Sequence, residues 1–181
     1  MKFKILLMVF SMFFLFSCSN DKKKSTAENS DNSSLSQSNN INFTLKFIDG
    51  RKMFIKSYEQ GFSFDDNSKA KLFVFFTTWC APCKAQIPHL NNLQKKYQDR
   101  FEVIALSLEE NKNQEVIDFI QENKMDFPVA LGENNFIFSK ILNVNAIPTM
   151  VLFDTNGEKI KEYLGMIPEE MLDIDIQKVI M

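Results

Sequence analysis

Two cysteines carry the sharpest chemistry in this chain. They sit in the run Thr77-Thr78-Trp79-Cys80-Ala81-Pro82-Cys83. An apolar run, Lys71 to Thr77, leads into them, and a helical pattern follows from Pro82. That order places Cys80 at a helix N-cap and Cys83 one turn inside. The unpaired N–H groups and the positive end of the helix dipole favour thiolate at Cys80. Pro82 stands in the first turn, where a helix tolerates proline. Two residues between the cysteines let both sulfurs meet in a small ring, which redox cycling can open and close. Other uses of this pair fit poorly. A zinc site wants four ligands, and the chain offers only 3 Cys and 1 His. A covalent haem site needs His after the second cysteine, where Lys84 stands. A purely structural bridge of this spacing closes a tiny loop and restrains the unfolded chain little.

These residues must be held by strands and helices. Asn42 to Ile48 alternates polar and apolar residues, the pattern of a half-buried strand; Asp49-Gly50 turns, and Lys52 to Lys56 returns. Lys71–Thr77 is a continuous apolar run, expected of a strand buried on both faces, and Phe101–Leu108 is read as a second buried strand. Pro82–Gln98 repeats Ile87, Leu90, Leu93 and Tyr97 at helical spacing, and Gln114–Asn123 carries Val116, Ile117 and Ile120 on one face. A short strand is expected over Phe127–Ala130 and a short helix over Asn135–Leu142. Thr149–Asp154 and Lys159–Leu164 flank the hairpin turn Asn156-Gly157. Pro168 opens a last helix. The order predicts an α/β domain with a mixed central sheet flanked by helices.

The expected organisation has three parts. Residues 1–17 begin Met-Lys-Phe-Lys and continue apolar from Ile5 to Phe16, the layout of an export signal. At 1.5 Å per residue that run spans about 18 Å, short of the ~30 Å hydrocarbon core. Leu15-Phe16-Ser17-Cys18 resembles the lipobox of bacterial lipoproteins, which implies cleavage before Cys18 and a lipid on its sulfur. Residues 18–40 are then the lipidated cysteine and a polar Ser/Asn-rich tether, too poor in apolar residues to fold. Residues 41–181 form the domain.

The cysteine run resembles that of thioredoxin-fold proteins. Pro88, five residues after Cys83, matches their helix-kinking proline, and Ile147-Pro148-Thr149 looks like their cis-proline loop. Within that fold the chain is similar to the TlpA/ResA-like branch: an exported or lipoprotein start, an N-terminal β-hairpin, and a central α/β insertion containing Phe127-Pro128-Val129. The resemblance implies a bacterial extracytoplasmic thiol-disulfide oxidoreductase with Cys80 and Cys83 catalytic. Trp79, Pro82, Ile147 and Pro148 would form the substrate groove. It implies disulfide-containing exported proteins, such as apocytochrome c, as substrates. The electron donor would be a membrane relay of the CcdA/DsbD type. It calls for no cofactor and no metal, and for a monomer. One departure stands out. Thioredoxins carry a buried Asp six residues before the first motif cysteine, where this chain has Val74. Glu109 or Glu110, at the end of the next strand, is the candidate replacement as proton acceptor.

Two other classes compete. Thr77-x-x-Cys80 has the spacing of a peroxiredoxin motif, but Phe73 stands where that motif wants Pro, and only Arg51 and Arg100 exist to serve as its arginine. A metal or apoprotein assembly factor of this fold uses three residues between its cysteines and a distant His. Here there are two, and His89 stands alone on the first helix. The formal net charge of −2 over 181 residues leaves no basic footprint for nucleic acid.

Overall fold

A computed structural model of the chain describes residues 40–181. The expected signal segment, Cys18 and nearly all of the tether lie outside the described residues. An eight-stranded mixed sheet runs through the domain in the order β3-β2-β1-β6-β5-β4-β7-β8. Its strands are β1 (Asn42–Phe47), β2 (Lys52–Tyr58), β3 (Gly61–Phe64), β4 (Ala70–Phe76), β5 (Phe101–Ser107), β6 (Val129–Leu131), β7 (Thr149–Phe153) and β8 (Lys159–Leu164). Four helices join them: α1 (Ala81–Tyr97), α2 (Asn113–Glu122), α3 (Asn134–Ile141) and α4 (Glu169–Ile180).

The middle of the sheet explains the two apolar runs. β4 pairs parallel with β5 on one side and antiparallel with β7 on the other, so every residue of β4 is buried. Strand alternation then divides its side chains between two cores. Leu72, Val74 and Phe76 face α1, α2 and α4, in one cluster with Cys80, Cys83, Ile87, Leu90, Phe119, Leu172 and Ile176. Phe73 and Phe75 face α3 and the N-terminal strands, with Leu45, Ile55, Phe64, Phe138 and Phe153.

The N-terminal element holds the expected hairpin, β1 paired antiparallel with β2, and goes beyond it. A third strand, β3, extends it into a meander. The segment then curls across the second face until the Phe62 N–H donates to the Gly157 carbonyl at 2.9 Å, in the turn between β7 and β8. The Phe62 ring lies 5.4 Å from Phe153 and 5.4 Å from Phe138, both edge-on. Edge-to-face aromatic pairs add about 0.5–1.5 kcal/mol each beyond burial. The abundance of Phe is explained by this cluster. Gly157 is required where β3 docks. Its φ is +80°, and a Cβ there would meet the Phe62 carbonyl oxygen at 1.7 Å.

Lys71 is the one charged side chain of β4, and it is fully buried. Its Nζ donates to the carbonyls of Asp66 and Lys69 and lies 5.6 Å from the Phe64 ring. Burial pushes its pKa down, with the Asp66 and Glu102 charges acting the other way. The ammonium thereby ties the loop before β4 onto the strand.

Candidate active site

The site lies where β4 ends. The Cys80 N–H donates to the Thr77 carbonyl at 3.3 Å, closing a tight turn with Thr78 and Trp79 at its centre. Cys80 is the N-cap of α1, with extended backbone (φ −84°, ψ 102°). Its carbonyl accepts the Lys84 N–H at 3.1 Å, and its sulfur accepts the Cys83 N–H at 3.2 Å. The sulfur thus takes the capping position usually filled by Ser or Asp oxygen. Cys80 and Cys83 are joined as a disulfide, with Cα atoms 5.2 Å apart. Both are nearly buried, at 5% and 4% exposed.

Behind Cys83 is a void of ≈10 Å³ lined by Val74, Phe76, Ile87, Leu90, Ala105, Phe119, Met125 and Phe127. Every one of these residues is apolar. A water needs about 10–15 Å³ and two to four polar partners, so this pocket is dry. Neither Glu109 nor Glu110 lines it. Glu110 is exposed. Glu109 is buried and spends both oxygens on Thr78: Oε2 accepts the Thr78 N–H at 2.7 Å and Oε1 accepts its hydroxyl at 2.9 Å.

The opposite rim comes from the segment before β7. The Ile147–Pro148 peptide bond is cis. Ile147 is half-buried and packs on the same apolar cluster as the two cysteines. Four bonds anchor this rim. Thr149 Oγ1 donates to the Ala146 carbonyl at 2.7 Å, Gly165 N–H donates to the Pro148 carbonyl at 2.8 Å, and Gln86 exchanges two bonds with the Ile167 backbone (3.1 and 2.8 Å). Gln86 is completely buried on α1. Reasoning from residue type overlooks it. The signal that could find it is its place on the inward face of α1, beside Ile87 and three residues after Cys83.

Trp79 is 72% exposed. Most of the indole therefore faces solvent, which places Trp79 outside the core. Pro82 is also exposed, inside the first turn of α1. His89 belongs to the α1–α4 contact, its Nδ1 3.7 Å from Glu169 Oε2. Neither arginine serves the site. Arg51 pairs with Asp49 at 2.7 Å, and Arg100 donates to the Ile180 carbonyl at 3.3 Å. Among the described residues, no group of three or more His, Cys, Asp or Glu side chains could hold a metal ion.

A strand end and a cysteine-capped helix hold one disulfide, and Ile147 of the cis-proline loop packs on the same apolar cluster. Residues 67–159 match the family model described as Thioredoxin-like. Thiol-disulfide oxidoreductase ResA from Bacillus cereus is 30% identical over 139 residues, which cover 76% of this chain and 75% of the relative. The chain belongs to the thioredoxin-like family. Within it the chain is ResA-like, and it is a thiol-disulfide oxidoreductase. Sporulation thiol-disulfide oxidoreductase A from Bacillus subtilis (strain 168) is 28% identical over 133 residues, covering 72% of this chain and 74% of the relative. Among solved structures, StoA from Bacillus subtilis superposes with a TM-score of 0.60 at 26% identity, over 76% of this chain and 97% of that one. The putative thiol:disulfide interchange protein DsbE from Chlorobium tepidum gives 0.65 at 24% identity, over 78% and 94%. The thioredoxin-like fold, mixed sheet flanked by helices, is therefore the fold of this chain.

Proposed function

We propose that the protein is an exported, lipid-anchored reductase of disulfides in other exported proteins, apocytochrome c among them. The observation that carries the chemical part is the Cys80–Cys83 disulfide at the N-terminus of α1, beside a cis-proline loop. In the reduced protein the Cys80 thiolate attacks one sulfur of the partner disulfide. A mixed disulfide forms, and the partner's other sulfur leaves as thiolate. The Cys83 thiolate then attacks Cys80, which closes the intramolecular bond and releases the second partner sulfur. Two electrons pass from the dithiol to the partner. A membrane thiol relay of the CcdA/DsbD type is the proposed donor that restores the dithiol. The groove is assigned to Trp79, Pro82, Ile147 and Pro148. The lipid on Cys18 is the proposed anchor, and the polar tether gives the domain reach to partners away from the bilayer. The protein acts as a monomer.

Trapping tests this reading. Cys83→Ser should accumulate a mixed disulfide between Cys80 and its partner, visible as a reductant-sensitive band on gels. Cys80→Ser should form none and should lose reduction of a model disulfide. Wild-type activity in Cys80→Ser would sink the assignment.

A further inference from the structure

The turn that delivers Cys80 is held from the side by a buried negative charge. In a turn closed by a bond from its fourth residue to its first, the N–H of the second residue has no partner within the turn. Here that residue is Thr78, and Glu109 takes both its N–H and its hydroxyl. Glu109 reaches it because the β4–β5 pairing continues past the strand ends, with the Leu108 N–H donating to the Phe76 carbonyl at 3.0 Å. Asn111, at φ +57°, then turns the chain away toward α2.

A buried carboxylate is a costly way to fasten a turn. Asn or Ser could accept the same backbone N–H with less desolvation. The charge itself therefore calls for a reason. The nearest cation is Lys112, with Nζ at 3.9 Å, and it also pairs with Glu115 at 3.0 Å. On the segments joined to this turn, the charged residues are Lys84 at the start of α1 and Glu109, Glu110 and Lys112 just after β5. Residues 144–149 and 164–168 contain no charged side chain. Of these four, only Glu109 is buried.

We propose that Glu109 is a positioning residue for Cys80, and that its charge makes the Cys80/Cys83 dithiol a stronger reductant, shifting the couple toward the disulfide. The amides at the start of α1 favour thiolate at Cys80. The carboxylate, bonded two residues away, opposes it. Stabilising the thiolate makes the disulfide of the couple a stronger oxidant, and destabilising it makes the dithiol a stronger reductant. The clamp thus holds the turn in place while its charge moderates the helix. The inference rests on Cys80 being the attacking thiol.

The test uses the full chain with Cys18→Ser and Cys83→Ser, which leaves one thiol, and follows iodoacetamide alkylation of Cys80 against pH. Glu109→Gln keeps an acceptor for Thr78 and removes the charge. It should lower the alkylation midpoint by about 0.5–1 unit, the scale of one nearby charge partly screened by solvent. With Cys83 restored, the equilibrium with glutathione should move about 3–10-fold toward the dithiol. Lys112→Met leaves both Thr78 bonds and removes the counter-cation, so it should raise the midpoint by a few tenths of a unit. A clamp with only a structural role would leave the midpoint in place while stability fell. Midpoints within ~0.2 unit of the parent in both variants overturn the proposal. Alkylation needs no partner protein, so this failure is distinct from failure of the trapping experiment.

Discussion

Replacing Val74 with Asp would put a carboxyl group where the chain has a methyl-lined wall behind Cys83. Val74 is buried, and the void beside it measures ≈10 Å³ with only apolar lining. Asp is no larger than Val, so packing strain is minor and the cost is electrostatic. Burying a neutral carboxyl without a partner costs about 1–3 kcal/mol. Burial also raises its pKa, by up to ~3–5 units in such sites. A group held protonated at pH ~7 against an unfolded value of ~3.9 adds about 4 kcal/mol. Together these reach about 5–7 kcal/mol, comparable with the whole stability of a small domain at ~5–15 kcal/mol.

The sign with pH separates the two parts. The folded state binds the proton more tightly than the unfolded state. Below the unfolded value, near ~4, the carboxyl is neutral in both states and only the smaller cost remains. Stability then falls as pH rises toward the folded value, opposite to the usual acid sensitivity of a carboxylate. The assay is urea unfolding of the oxidised protein at pH ~4.5 and ~7, with wild type measured beside the variant to remove its own pH dependence. The variant should lose about 3–4 kcal/mol more at the higher pH. Equal losses at both pH values would show that water or a polar group reaches position 74. The wall behind Cys83 would then be neither dry nor free of acceptors.

Two further variants probe the scaffold. Gly157→Ala places a Cβ 1.7 Å from the Phe62 carbonyl oxygen at a φ of +80°, so it should cost about 2–4 kcal/mol in urea unfolding and undock β3; wild-type stability would refute the β3 contact. Asp175 is lowered to about 2, first by its hydrogen bond from Lys161, then by those from Lys178 and the Tyr163 hydroxyl, against burial. Its pKa is depressed on folding, so its contribution is present above the unfolded value of 3.8 and lost as pH falls toward about 2. Asp175→Asn should remove about 1 kcal/mol at neutral pH, after allowing for screening of the exposed lysines, and flatten the acid limb of the stability curve. An unchanged acid limb would refute that pairing.

The parts of the fold that can be read from sequence are those with one dominant signal. β4 and β5 stand out as mostly apolar runs because both faces of each are covered. α1 shows a clear repeat because Ile87, Leu90 and Leu93 all face one core. β3 escapes because Gly-Phe-Ser-Phe is too short to show alternation, and its burial depends on Phe138 and Phe153, distant in sequence. Lys71 marks a strand boundary by its charge, yet it is buried because two loop carbonyls solvate it. Cys80 and Cys83 are legible from spacing, and the cis-proline loop from its resemblance to the thioredoxin-fold pattern. The two glutamates are not separable by type. Parity separates them: Val103 and Ala105 face the cysteine core, and Glu109 continues that alternation while Glu110 breaks it.

The residues that chemistry selects and those that hold them belong to different readings. Cys80 and Cys83 are chosen by sulfur and spacing. Their positions depend on bonds from side chains to backbone: Glu109 to Thr78 on one side of α1, and Gln86 to Ile167 on the other. Gly165 extends the second tie to the carbonyl of Pro148. The turn before Cys80, the inner face of α1 and the cis-proline rim are therefore each fastened without using either sulfur. A disulfide that supplied the site's rigidity would let it collapse on reduction. With the load carried elsewhere, the bond between Cys80 and Cys83 is free to form and break while the groove around it keeps its shape. That separation of scaffold from reactive bond is what repeated exchange with a partner requires.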